Sequence, residues 1–257
     1  GGGMGKRILA AIRANKGACI AFLIVEIFLL AYLIGFFGFG AELTERYNRM
    51  KLGLSLAVAL LMIPVFLYMQ FGNGKRYLHR VYLVIAAVMG CVFLLRQPAG
   101  VVPDEIAHWY NTYHYSNQMM GVQEAEKGRL SMREEDSEIP LVTHAREQEV
   151  FNAYWDSIPV NGHQTDIVPT KNDYHEVGTP YQYLGGMFGI SIGRLLGLGG
   201  MMTFLLGRIL NLVIFILLTA FAIKTLPFGK MALFIVALMP MTLQQAASYS
   251  PDVTING

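Results

Sequence analysis

"VYLVIAAVMGCVFLLRQPAGVVPDEIAHWYNTYHYS" occupies residues 81–116. No charge interrupts it from Val81 to Leu95, and Arg96 then closes the run. A helix of about 20 mostly apolar residues crosses the hydrocarbon core of a bilayer, so 81–95 reads as a span with Arg96 as its interfacial end. Two adjacent carboxylates, Asp104 and Glu105, follow within a few residues. A histidine and an aromatic cluster come next, with His108, Trp109, Tyr110, Tyr113, His114 and Tyr115. The polar group stands where the chain leaves the membrane.

The same pattern extends outward in both directions. Runs 17–39 and 52–71 precede this one, and runs 201–223 and 231–248 follow it. Hydrophobic residues make up 54% of the chain and charged residues 15%, where soluble domains carry about a quarter charged. Of the 18 acidic residues, 14 lie between Asp104 and Glu176. The chain therefore alternates apolar blocks with one acidic insert, 97–180, and its net charge of +2 says little about partners. The expected partner is the lipid bilayer, and no nucleic acid is expected. Cys19 and Cys91 each sit inside an apolar run and read as small core or lipid-facing residues, with no disulfide framework or zinc spacing. Gly1–Gly3 before Met4 reads as an added leader. The end, "SYSPDVTING" directly after an apolar run, reads as the cut edge of a longer membrane protein.

Positive charge sets orientation. Lys6, Arg7, Arg13 and Lys16 precede the first span, which makes the N-terminus cytoplasmic. Lys75, Arg76 and Arg80 in loop 72–80 agree with it. The acidic insert then lies outside. The segment 181–198, "YQYLGGMFGISIGRLLGL", is short and Gly-rich. If it crossed the membrane, Lys224 and Lys230 would face outward. A juxtamembrane or re-entrant helix there keeps both lysines cytoplasmic and leaves five spans. Residues 117–150 read as helical, and 151–180, with Pro159, Pro169, Pro180, Gly162 and Gly178, as mostly loop. The expected fold is an all-α polytopic membrane bundle in a plasma (inner) membrane. Residues 4–80 form two N-terminal spans. Residues 81–257 form a second module with a large outer loop, a juxtamembrane helix and three spans.

Three motifs stand out. "PDEIAHWY" reads as a helix start, with Pro103 and two acids where the helix dipole favours negative charge. The acids serve that start alone, or they also serve a site at the membrane surface. Glu105 and His108 share a helical face, as do Trp109 and Tyr113, though an aromatic belt also accounts for the rings. "GTPYQYLGG", 178–186, with Tyr181, precedes "GRILN", 207–211. There Arg208 lies inside an apolar run and either snorkels or faces an anion such as a phosphate. "MPMTLQQAASYSPD", 239–252, makes the last helix end polar through Gln244, Gln245, Ser248 and Asp252, as a plain end or a cavity lining. Glu26, mid-span, is a candidate for a proton relay or a helix contact. No phosphate-binding loop, metalloprotease helix or nucleophile elbow is present.

"PDEIAHWY", "GTPYQYLGG…GRILN" and "ALMPMTLQQAASYSPDVTING", in this order, resemble an uncharacterised family of bacterial multi-spanning membrane proteins grouped with the GT-C glycosyltransferases. The resemblance runs from about residue 80 to the end. It implies a bacterial enzyme that transfers a sugar from a polyprenyl-phosphate donor to an extracytoplasmic glycan or cell-envelope acceptor. It places Asp104 as the acid–base residue or a metal ligand, with Glu105 beside it. It also gives the 181–198 helix a counterpart. The candidate site is then Asp104 and Glu105 for catalysis, with His108, Trp109, Tyr113, Tyr181, Arg208, Gln244, Gln245, Ser248 and Asp252 binding substrate. A divalent metal, Mg or Mn, on Asp104, Glu105 and His108 is one reading of the same group. The alternatives are a transporter or flippase, or a non-catalytic subunit of an envelope-polysaccharide assembly system. A transporter would usually carry internal repeats and discontinuous helices, and the sequence suggests neither.

Overall fold

The computed structural model describes residues 12–39, 46–72, 74–139, 141, 152, 155, 156, 158, 166–174 and 179–252. By its contacts the chain divides into two compact units, Gly1–Ile85 and Ala86–Gly257.

The first unit holds α1 (Lys16–Phe39), α2 (Arg46–Phe71) and the opening of α3 (Leu78–Arg96). The α1 and α2 helices pack together, with the Phe22 and Phe66 rings stacked 4.1 Å apart. Their outer faces are apolar and open, with Val25, Ile27 and Phe28 on α1 and Leu60 on α2. Water would penalise such a surface, whereas lipid accepts it. Glu26 faces inward and is 7% exposed.

The second unit contains the end of α3, α4 (Glu105–Met120), β1 (Arg129–Arg133), α5 (Glu134–Ser137), β2 (Ile167–Asp173) and a 3₁₀ turn, Pro180–Tyr183. It continues with α6 (Leu184–Leu195), α7 (Gly200–Thr225), α8 (Lys230–Ala237) and α9 (Pro240–Ala246). Among the described residues three helices are long and apolar enough to cross a membrane: α2, α3 and α7.

The acidic insert departs from the all-α expectation. Gly121, at φ 71°, ends α4 with its N–H on the Asn117 and Gln118 carbonyls. The chain then returns as β1, which pairs antiparallel with β2. Pro169 is tolerated in β2 because a two-stranded ribbon is all edge and a missing N–H costs little there. The helix expected over 117–150 is corrected across 121–133, it returns at 134–137, and 140 and 142–150 lie outside the described residues; the loop expected across 167–173 is corrected to β2.

The run expected as one span, 231–248, is not one continuous helix. It is two short helices, α8 and α9, broken at Met239. Pro240 opens α9, and its ring drives Met239 out of the helical region to φ −61°, ψ 138°. A discontinuous helix is therefore present after all.

The α6 helix has 12 residues, roughly 18 Å at 1.5 Å per residue, too short to cross. Its glycines let it lie directly on α7. A Cβ at Gly189 would run into the Gly207 backbone, and one at Gly193 would strike Thr203. Small residues at such a crossing let two backbones approach closely. Above it sits an aromatic core, with the Trp109 ring 4.9 Å from Phe204 and 5.0 Å from Tyr249.

A buried polar layer ties the insert to these helices. Arg133 grips Asp136 with Nε–Oδ2 at 2.7 Å and a second bond at 2.8 Å, and it donates to Thr203 Oγ1 at 3.0 Å. The Tyr113 hydroxyl donates to Asp136 at 2.6 Å and accepts the Arg133 N–H at 3.1 Å. Burial, with Asp136 beside it, pushes the Tyr113 phenol up, so it stays protonated. Arg194 of α6 donates to Asn117 Oδ1 at 2.8 Å and lies 4.8 Å over the Tyr113 ring.

Candidate functional site

The site is built on the turn between α3 and α4. The chain leaves α3 at Arg96, reverses through Gly100 at φ 84°, and enters α4 after Asp104. Asp104 adopts φ 58°, and it is the one non-glycine residue with positive φ among the described residues. A carboxyl residue tolerates this region better than most. The sharp turn sends the two neighbouring acids in opposite directions, so that Asp104 is exposed and Glu105 is 1% exposed.

Glu105 meets Arg208, which reaches in from α7 and is wholly buried. The guanidinium donates to both carboxylate oxygens, with Nε–Oε1 at 2.7 Å and Nη2–Oε2 at 2.5 Å. Arg208 also donates to the Gln97 and Pro98 carbonyls at 2.6 and 2.9 Å. Glu105 in turn accepts the Gly100 N–H at 3.0 Å and the Tyr249 N–H at 3.3 Å. This forked pair clasps the α3–α4 turn, α7 and the chain after α9. A buried charge pair is tolerable only when its remaining donors and acceptors are met in this way.

The contacts place four of the residues named from the sequence in structural roles. Arg208 is committed to Glu105 and two carbonyls, so it neither snorkels nor faces a free anion. Glu105 is a structural acid: its oxygens already accept four donors and are not placed for substrate. Trp109 and Tyr113 are both 0% exposed and belong to the core rather than to a binding wall. Helical spacing alone could not distinguish a ring turned inward from one turned toward a ligand.

Asp104 rims a groove of about 480 Å³ that is also lined by Val101, Val102, Ile106, Tyr110 and Asp173 of β2. One turn along α4, His108 N–H bonds to the Asp104 carbonyl at 3.0 Å. The His108 ring Nδ1 is 3.2 Å from the Tyr183 hydroxyl. Burial lowers the His108 pKa from 6.5, opposed by the charges of Asp104, Asp252 and Glu105. Burial also raises the Tyr183 pKa, with Asp252 contributing. Asp104 and Asp252 therefore both lie within electrostatic reach of His108, and Asp252 within reach of Tyr183 as well. Ser248 is wholly buried and donates to the Gln245 carbonyl at 2.7 Å. Gln244 and Gln245 are half-buried on α9, and Tyr181 is 60% exposed.

Two contributors escaped the sequence reading. Tyr183 lies in the quoted "GTPYQYLGG", but nothing in the sequence linked it to His108. Asn211 donates to the Ser248 carbonyl at 2.7 Å and accepts the Gly186 N–H at 3.2 Å, joining α6, α7 and the last segment. Its signal was present, since it stands three residues after Arg208 on the same helical face.

A metal on Asp104, Glu105 and His108 does not fit, because Glu105 points into the clasp. Among the described residues no three His, Cys, Asp or Glu side chains are grouped to hold an ion. What the site offers is an exposed carboxylate and, one turn along, a half-buried imidazole whose pKa burial lowers. Either can accept a proton from a hydroxyl.

The fold and site define a multi-spanning helical membrane protein with a polar site at the end of a candidate span. The family model described as "Predicted membrane protein (DUF2142)" matches residues 87–257, and the chain belongs to that family. No curated protein and no solved structure matches the chain.

Proposed function

We propose that this protein is a GT-C-like membrane glycosyltransferase that moves a sugar from a polyprenyl-phosphate donor to an extracytoplasmic glycan. The observation that carries this reading is the separation of the adjacent acids. Glu105 is consumed by Arg208, while Asp104 is left exposed on a groove eight residues after a membrane-length helix. A lipid-linked donor keeps its head group at that depth. The acceptor hydroxyl is a poor nucleophile, and Asp104 takes its proton as it attacks the anomeric carbon. The bond from that carbon to the phosphate oxygen breaks, and polyprenyl phosphate leaves. Arg208 plays no part at the phosphate and instead holds the turn that carries Asp104. In cells the loop 97–180 faces outward across a bacterial plasma membrane.

The test is sugar transfer by the full-length protein in proteoliposomes, with a panel of polyprenyl-phosphate sugars and cell-envelope glycans. Transfer from at least one donor supports the reading, and no transfer across the panel rejects it. The α8–α9 break favours one rival, a transporter, because transporter sites use broken helices. Movement of a labelled lipid-linked sugar across the bilayer without any new glycosidic bond would decide for that rival.

A further inference from the structure

The groove beside Asp104 carries a second statement, about what enters it. It holds about 480 Å³, room for a saccharide unit or two. Its walls combine apolar residues, Val101, Val102 and Ile106, with the half-buried Tyr110 ring. Sugars bind such surfaces by laying a C–H face on an aromatic ring and giving their hydroxyls to carboxylates. Here the carboxylates are Asp104 and Asp173, which approach from different elements, the α4 start and the end of β2. The third lining acid, Glu105, is neutralised by Arg208. Among the described residues no lysine or arginine lines the groove. Arg129, the cross-strand partner of Asp173, pairs with Glu126 at 3.2 Å.

We infer that this groove is the acceptor subsite, and that it takes an uncharged or amine-bearing saccharide and rejects an acidic one. The inference rests on the glycosyltransferase reading for the word acceptor, but not for the binding. Two carboxylates, with no cation among the described lining residues, repel uronates and sugar phosphates and attract an ammonium group. Asp173 then selects by charge, and Tyr110 supplies the platform.

The experiment uses the full chain in nanodiscs and three soluble probes: a chitosan tetrasaccharide, a chitin tetrasaccharide and a tetragalacturonate. Affinities are read by saturation-transfer NMR and calorimetry. The expected order is amine first, N-acetylated second and acid last. Asp173→Asn should weaken the chitosan probe by up to about 5-fold, the size of one exposed ion pair, and weaken the chitin probe less, because only the amine loses a charge partner. Tyr110→Ala should weaken both. Galacturonate binding as tightly as chitosan overturns the inference, as does an absence of binding by all three probes. Asp173 is exposed, so its variant folds. In a transfer assay Asp173→Asn should raise KM for an aminosugar acceptor and keep kcat. Selective binding without transfer leaves the groove standing and removes the transferase. Transfer with an unchanged acceptor KM in both variants does the reverse.

Discussion

Arg208→Met cuts the buried clasp on one side only. The variant keeps an unbranched apolar stem and removes the guanidinium donors that Glu105, Gln97 and Pro98 now accept. Glu105, 1% exposed, is left as an unpaired buried charge with only two backbone amides for company. Breaking a buried pair this way costs about 3–5 kcal/mol. At ~2–4 °C per kcal/mol for a domain of this size, the unfolding midpoint should fall by roughly 6–20 °C. The assay is thermal unfolding in detergent micelles, followed by tryptophan fluorescence, since Trp109 sits in the adjoining core. The double variant Glu105→Met/Arg208→Met removes both charges, and it should recover much of the loss, because replacing a buried pair by apolar residues is often neutral or better. Recovery stays incomplete, since the Gln97 and Pro98 carbonyls lose their donor. Arg208→Met melting with the wild type, or a double variant no more stable than the single one, would refute the clasp. Weakened donor binding with unchanged stability would restore the anion-binding role that the sequence suggested.

Tyr113→Phe deletes the hydroxyl that joins Asp136 to the Arg133 N–H, and melting should report a loss of about 1–3 kcal/mol with no change in ligand affinity. Gly189→Ala pushes a methyl into the Gly207 backbone and should cost about 1–3 kcal/mol, whereas Gly53→Ala, with nothing within 4 Å, should be neutral or stabilising. Burial holds the His108 pKa below 6.5, so the unfolded chain takes up the proton first as pH falls. That share of stability is present above about pH 6.5 and is lost toward the folded pKa. His108→Gln should therefore flatten the dependence of Tm on pH between about 7 and 5, and an unchanged slope would sink the assignment. For topology, a cysteine at Thr143, which lies outside the described residues, should react with an impermeant thiol reagent in intact cells. A cysteine at Phe228 should not, and its labelling from outside would reverse the orientation drawn from the lysines.

Much of the helical frame was legible because it is written in local pattern. The long apolar runs are visible to any hydropathy reading, and "PDEIAHWY" carries its helix start in Pro103 and two acids. The break at Met239 was also written in the sequence, in Pro240, but the apolar character of 231–248 masked it. The ribbon of β1 and β2 was hidden because its strands are polar and lie far apart in the chain. The site was legible as a neighbourhood and not as an assignment of roles. Asp104 and Glu105 are chemically near-identical neighbours. What separates them is Arg208, 103 residues from Glu105, together with a positive φ at Asp104. Trp109 and Tyr113 looked like a binding wall because helical spacing fixes which residues share a face but not what that face meets. The α5 and α7 helices and β1 decide that, and those contacts are long-range.

The separation of the two acids is the centre of the account, and the side-by-side rates of Asp104→Asn and Glu105→Gln test it most directly. Both are measured per folded molecule of full-length protein, on the donor that the panel identifies. Asp104→Asn should fold, melt near the wild type and lose a factor of ~10² to 10⁴ in turnover, the range that general-base catalysis supplies. Glu105→Gln should melt lower, because an amide N–H₂ replaces an acceptor facing the Arg208 and backbone donors, and the fraction that remains folded should keep most of its turnover. The opposite pattern, with Asp104→Asn transferring sugar at the wild-type rate and Glu105→Gln stable but inactive, would contradict the account.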